Sequence, residues 1–261
     1  MDILTLQLEY QKARKSFVVA IVVEVLGSSS AKPGTKALFD NKGALVFGWI
    51  GGGCAQSMVA EQACNCLISG EPSMVDVDLT DEIFGAGMPC GGSMRVYVEP
   101  VLPKPVLWIT GDGLIAETLC GLADRMGFEV IVHDHQATVS GFPAARRIIN
   151  NDHNHYQELS PSKGDFVVVA SHHKGDYFSL TRAIQSEAGY IALIASRKRS
   201  QLIMDRLAKE GVDKEVLGRI HAPAGLAIGA KTPEEIALSV ISEMIMLRRG
   251  GQGGSLSQKI S

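Results

Sequence analysis

Apolar positions along the chain follow two rhythms, and the change between them divides it. "DILTLQLEYQKARKS" (2–16) spaces its apolar residues for a short amphipathic helix. "FVVAIVVEVLG" (17–27) is a β-branched run ending in glycine and predicts a buried strand. "SSSAKPGTKALFD" reads as a loop and then a strand, and "DNKG" (40–43) is a turn leading into "ALVFGWI". Between Ala55 and Ser69, the residues Met58, Val59, Ala63, Cys66 and Leu67 recur at helical spacing. "MVDVDLTDE" alternates as a strand running into an acidic loop. "GAGMPCGG" is a glycine-rich loop, and "SMRVYVEPV" predicts the strand after it. These elements predict an N-terminal mixed α/β domain over residues 1–101.

"LPKP" (102–105) is a stiff, proline-bearing connector, and beyond it the rhythm changes. "VLWIT", "FEVIVHD", "DFVVVAS" and "YIALIAS" are short runs apolar throughout, separated by helical patterns. Strands buried on both faces and alternating with helices predict a Rossmann-like, doubly wound parallel sheet over 106–250. The last helix has a marked start, with Thr232 as cap, Pro233 at the first position and Glu235 three residues after the cap. The glycine- and serine-rich stretch 251–261 predicts a flexible tail.

Composition narrows the class. With 46% hydrophobic and 20% charged residues, the chain reads as a globular protein with a substantial core. A formal net charge of −3 argues against nucleic acid as a partner. No apolar run reaches the length of a membrane span. Lys12, Arg14 and Lys15 precede an apolar run as in a signal peptide, but Asp2, Glu9 and Glu24 favour a buried strand. Five cysteines, an odd number without framework spacing, predict a reduced, cytoplasmic setting.

Two glycine-rich loops of the N-terminal domain each carry a cysteine. In "WIGGGCAQS", Gly51, Gly52 and Gly53 run into Cys54 at a predicted helix start, where unpaired N–H groups favour a thiolate. In "PCGG", Cys90 is followed by Gly91 and Gly92. The bland reading of either is a tight turn with a buried thiol. The pair together fits exposed thiols beside backbone donors that hold an anionic ligand. The domain has no histidine, which argues against a closed zinc site. Cys66 falls on the apolar face of its helix with Cys64 beside it, and Cys120 reads as core.

In the second domain "ITGDGLIAETL" sets Gly111, Gly113 and Ala116 as G-x-G-x-x-A between a predicted strand and helix. Asp134 follows about 20 residues on, at the end of the next strand, as the dinucleotide fingerprint requires. NAD(P) or another nucleotide is one expectation. A scaffold without its nucleotide is the other, because Asp112 brings a carboxylate between the glycines. His172 and His173 in "ASHHKGD", and Ser196 and Arg197 in "ASRKRS", follow buried strands where open sheets bind ligands. His221 could face the same crevice, and Lys198 and Arg199 add positive charge.

The blocks "GWIGGGCAQSMV", "DVDLTDEIFGAGMPCGG", "SHHKGDY", "ASRKRS" and "HAPAGLAIGAKTPEEIALSVISEM" resemble the XdhC/CoxI family, in the family's order, from about Phe17 to about Arg249. These are accessory proteins of xanthine dehydrogenase and related molybdenum hydroxylases. The resemblance implies a chaperone more than a catalyst: a homodimer that binds molybdenum cofactor (molybdopterin), works with a cysteine desulfurase and serves an apo molybdenum hydroxylase. It makes Cys54 and Cys90 candidates for contact with molybdenum or its sulfur, with Gly51, Gly52, Gly53, Gly91 and Gly92 as a backbone cradle. Two departures stand out. Ser30 and Ala31 replace the family's proline and arginine, and the nucleotide-type loop reads G-D-G-L rather than G-A-G-H. Other readings are an NAD(P)-dependent oxidoreductase with His172 or His221 as proton donor, and a thiol or nucleotide sensor using Cys54.

Overall fold

The computed structural model describes residues 2–78, 92–151, 155–171 and 175–259. The chain divides into two compact units, Met1–Pro103 and Lys104–Ser261.

In the first unit α1 (Ile3–Lys12) opens on Asp2, whose side chain accepts from the Thr5 N–H at 2.8 Å. The strands β1 (Phe17–Leu26), β2 (Lys36–Asp40), β3 (Leu45–Gly48), β4 (Ser73–Asp78) and β5 (Ser93–Val101) form one antiparallel sheet in the order β3-β2-β1-β5-β4. The 40–43 turn is closed by Asp40, whose Oδ1 accepts from the N–H groups of Lys42 and Ala44. The helix α2 (Gly53–Ser69) covers one face of the sheet.

The continuous apolar run of β1 has a direct cause. Val18, Ala20 and Val22 pack with Val59, Ala63 and Cys66 of α2, whereas Phe17 and Val19 cluster with Leu6 of α1 and Leu38. Over Phe17–Val22 both faces of the strand are covered, so neither set of alternate positions is polar there, whereas the end of the strand from Val23 is mostly exposed and carries Glu24. On α2 the buried stripe is Ala55, Val59, Ala63 and Cys66, while Met58 lies outside it and is exposed.

The second unit is a six-stranded sheet, parallel throughout. It contains β6 (Val106–Thr110), β7 (Glu129–His133), β8 (Arg147–Ile149), β9 (Phe166–Val169), β10 (Tyr190–Leu193) and β11 (Ile220–His221), in the order β11-β10-β9-β6-β7-β8. Read from the β8 edge, the strands come third, second, first, fourth, fifth and sixth in the chain. This is the doubly wound order, with its switch point between β6 and β9. The helices α3 (Leu114–Arg125) and α7 (Pro233–Arg249) share a core with one face of the sheet. α4 (Gly175–Ile184) and α5 (Arg197–Lys209) share a core with the other. A one-turn helix, α6 (Lys214–Leu217), links α5 to β11.

The start of α7 is the capping box its sequence predicts. The Glu235 N–H donates to Thr232 Oγ1 while Glu235 Oε2 accepts from the Thr232 N–H, with Pro233 in the first turn. The segment after α7 carries a 3-10 turn, Leu256–Lys259. Among the described residues, no helix is long and apolar enough to cross a membrane.

Candidate functional site

The three glycines before Cys54 differ in what demands them. Gly51 has φ +122°, a backbone region side chains rarely adopt, and a Cβ there would meet Met94 Cε at 3.3 Å. Gly52 is the cap of α2, with no side chain to occupy the first-turn N–H groups. At Gly53 a Cβ would meet nothing within 4 Å, and φ is not positive. Among the described residues neither backbone strain nor packing asks for glycine at that position.

Cys54 sits in the first turn of α2, and of the four described cysteines it is the exposed one. Cys66 is buried with its Sγ 3.3 Å from Ser73 Oγ, and Cys64 is half-buried. Cys120 is buried in the second unit, and burial pushes its thiol up to about 11, with the Asp124 charge adding to the effect. Among the described residues the helix start therefore presents an accessible thiol beside first-turn N–H donors without a side-chain cap.

Cys90 and Gly91 lie outside the described residues. Gly92 is described, and its bareness is consumed by the fold: a Cβ would come within 2.5 Å of the Ser28 carbonyl oxygen and 2.6 Å of that of Leu26. Two residues on, Met94 touches the Gly51 turn and shares a cluster with Ala31, Ile50 and Ala55. The end of β1, the Gly51 turn and the approach to β5 thus meet at one end of the first unit.

In the second unit Gly111 leaves β6 at φ +130°, and a Cβ there would lie 2.4 Å from the Ala170 carbonyl oxygen beyond β9. Its lack of a side chain brings two strand exits together at the switch point. Gly113 caps α3 without a side-chain bond. Asp134 follows β7 at 6% exposure, and its Oδ1 accepts from the Gln136 N–H at 3.0 Å and faces His135 Nδ1 at 3.3 Å. Burial raises its carboxyl above the usual range, and the Asp112 charge adds to this against the Gln136 hydrogen bond. Asp134 Oδ1 is already engaged by its own loop.

His172 and His173 lie outside the described residues. On either side of them stands a network that individual residues do not announce. Ser171 Oγ donates to Asp176 Oδ1 at 2.7 Å, and the Arg199 guanidinium meets Asp176 Oδ2 at 2.6 and 2.7 Å. Asp176 is 1% exposed, so this pair locks the starts of α4 and α5 together. Arg199, read from the sequence as part of a cationic strand end, is consumed here. His221 also has a structural partner. Its ring stacks on Tyr190 at 4.7 Å, and its Nδ1 lies 3.4 Å from Glu243 Oε1. Tyr190 Oη and the Gly225 N–H donate to Glu243 Oε2. Burial pushes the Glu243 carboxyl up, but the His221, Tyr190 and Gly225 hydrogen bonds outweigh it and hold the group below its ordinary range. A lone carboxylate in the apolar stretch "SVISEMIM" is the sequence signal for this network.

Ser196 and Arg197 open α5 at the end of β10, and the Ser196 hydroxyl accepts from the Arg199 N–H. Both line a cleft of about 790 Å³ within the second unit, bounded by Ile115 of α3, the Pro223–Ala230 loop, and Ile236 and Ser239 of α7. Among the described residues Arg197 is the sole charged one in that lining. Among the described residues no group of three or more His, Cys, Asp or Glu side chains is placed to hold a metal ion.

A Rossmann unit joined to a smaller antiparallel unit with an exposed thiol at a glycine-opened helix start defines a two-unit α/β protein. Residues 107–244 match the model of the XdhC Rossmann domain, and residues 10–78 that of the XdhC and CoxI family. The chain belongs to the XdhC and CoxI family. It is 28% identical over 260 residues to the uncharacterized protein YqeB of Escherichia coli (strain K12), a match covering 97% of this chain and 48% of that protein. It is 32% identical over 160 residues to a probable xanthine dehydrogenase subunit of Bacillus subtilis (strain 168), covering 59% of this chain and 46% of that one. The chain thus spans about half the length of the curated relatives it matches. A crystal structure of a xanthine dehydrogenase from Bacillus halodurans shares the fold, at a TM-score of 0.51 and 23% identity over 100% of both chains.

Proposed function

We propose that the chain is a maturation factor for a xanthine dehydrogenase-type molybdenum hydroxylase, and that it binds molybdenum cofactor at the start of α2. The observation carrying this reading is the pair Gly53–Cys54: an exposed thiol beside a glycine that packing among the described residues does not require. Family membership supports the maturation role, and the donor set suits the cofactor, which is anionic and sulfur-rich. A thiol is a soft ligand for a metal–sulfur centre, and uncapped first-turn N–H groups favour an anion. When bound, the cofactor supplies the molybdenum and its sulfur ligands.

The chain's own residues then have distinct tasks. Cys54 touches the metal or its sulfur, the Gly53 and Cys54 N–H groups receive negative charge, and Gly51 and Gly52 set the turn that aims them. Cys90 and Gly91 are assigned to the same ligand from the second loop. The partners in this reading are the apo-hydroxylase and a cysteine desulfurase, and the working form is a cytoplasmic homodimer.

Thiol footprinting tests the placement. Alkylation of Cys54 by iodoacetamide in the full chain, followed by peptide mass spectrometry, should slow several-fold when anaerobically supplied cofactor is bound, while Cys64 labelling stays unchanged. An unaltered Cys54 rate with cofactor demonstrably bound contradicts the assignment.

A further inference from the structure

The cleft in the second unit belongs to no part of the cofactor reading above. Its volume of about 790 Å³ falls within the range of small-molecule sites. Its walls combine Ile115, Pro223, Leu226 and Ile236 with small residues that leave the space open, among them Ala195 and Gly225. Gly225 has φ +99°, and a Cβ there would strike Ser239 Oγ at 2.4 Å, so the loop is held against α7. At the polar rim stand the Ser196 hydroxyl and the Arg197 guanidinium. The Ser196 oxygen already accepts from Arg199, which leaves its O–H to donate outward. Among the described residues Arg197 is paired with no carboxylate, unlike Arg199 beside it.

An apolar slot with one cation and one hydroxyl at its edge suits a planar ring carrying a single anionic arm. A doubly wound sheet is built from two mononucleotide-binding halves. Here the halves differ in charge. The first presents Asp112 between the glycines of the turn, where a phosphate would approach, and the second presents Arg197 and the exposed Lys198. Repulsion in one half and attraction in the other favour one mononucleotide over a dinucleotide.

We propose that this cleft is a mononucleotide site, with the heterocycle against Ile115, Leu226 and Ile236 and the phosphate monoester met by Arg197 and the Ser196 hydroxyl. The site is independent of the cofactor reading, and a Cys54→Ala variant is expected to retain it.

Isothermal titration of the full chain with AMP, nicotinamide mononucleotide, NAD+ and inorganic phosphate tests this. AMP or nicotinamide mononucleotide should bind at one per chain. Arg197→Gln should weaken that binding about tenfold or more, as expected for loss of a charge-assisted contact. Ala227→Phe places a ring in the cleft from an exposed position and should abolish binding. Both variants should keep the wild-type melting temperature. NAD+ should bind no more tightly than the better mononucleotide. The proposal is overturned if neither mononucleotide binds, if phosphate alone binds as tightly, if both variants bind normally, or if NAD+ binds more than tenfold tighter. It is also overturned, in favour of a pterin, if the mononucleotides fail while Arg197→Gln lowers retention of molybdenum cofactor.

Discussion

Glycines of the two cysteine-bearing loops are bare for different reasons, and substitution separates them. Gly53→Ala places a methyl in open space at a helical position, so stability should hold or rise by about 0.4–1 kcal/mol. Cofactor retention should nonetheless fall, because the methyl stands beside Cys54. Gly92→Ala drives a Cβ into the backbone at Leu26 and Ser28 and should cost about 2 kcal/mol or more. Thermal melts of the two variants, run beside retained pterin, check both expectations. A stable Gly53→Ala chain with undiminished retention would remove the ligand-based reason for that glycine. In the sequence these glycines look alike. What distinguishes them is the backbone lying opposite, Ser28 for Gly92 and Ala170 for Gly111, and such neighbours are remote in the chain.

Elements are legible where burial is uniform or caps are explicit. The four central strands of the second unit stand out because a parallel sheet covered on both faces leaves no polar alternation. The edge strands β8 and β11, three and two residues long, carry no run to detect. The Thr232–Glu235 box is readable since its partners are three residues apart, whereas Tyr190 and Glu243 are 53 apart. That last pair ties α7 to β10, and its pH dependence is fixed in sign. The folded pKa of Glu243 lies below its ordinary value of 4.5, so its contribution is present above that value and lost as pH falls through the folded pKa. Glu243→Gln should therefore destabilise the chain by about 1–3 kcal/mol at pH 7, with the difference from wild type shrinking in acid below about pH 4.5. Paired melts across that range would show it. A constant difference would mean that the carboxylate's charge is irrelevant to the tie.

At the scale of the whole molecule, two units carry different chemistry. The first offers a soft thiol at a bare helix start, and the second an apolar slot edged by an arginine. Fold class and family are legible because both rest on runs and blocks contiguous in sequence. The site is legible only in part. Cys54 at a helix start follows from local pattern, but the consumption of Arg199 by Asp176 and of Asp134 Oδ1 by its own loop depends on partners only folding supplies. The central claim is that Cys54 anchors molybdenum cofactor. The direct measurement is retention of anaerobically supplied cofactor by the purified chain after gel filtration, wild type beside Cys54→Ala, with bound pterin quantified. Retention by wild type and loss in a variant that melts normally is the predicted result. Equal retention by both, or none by wild type where an established binder succeeds, would contradict it.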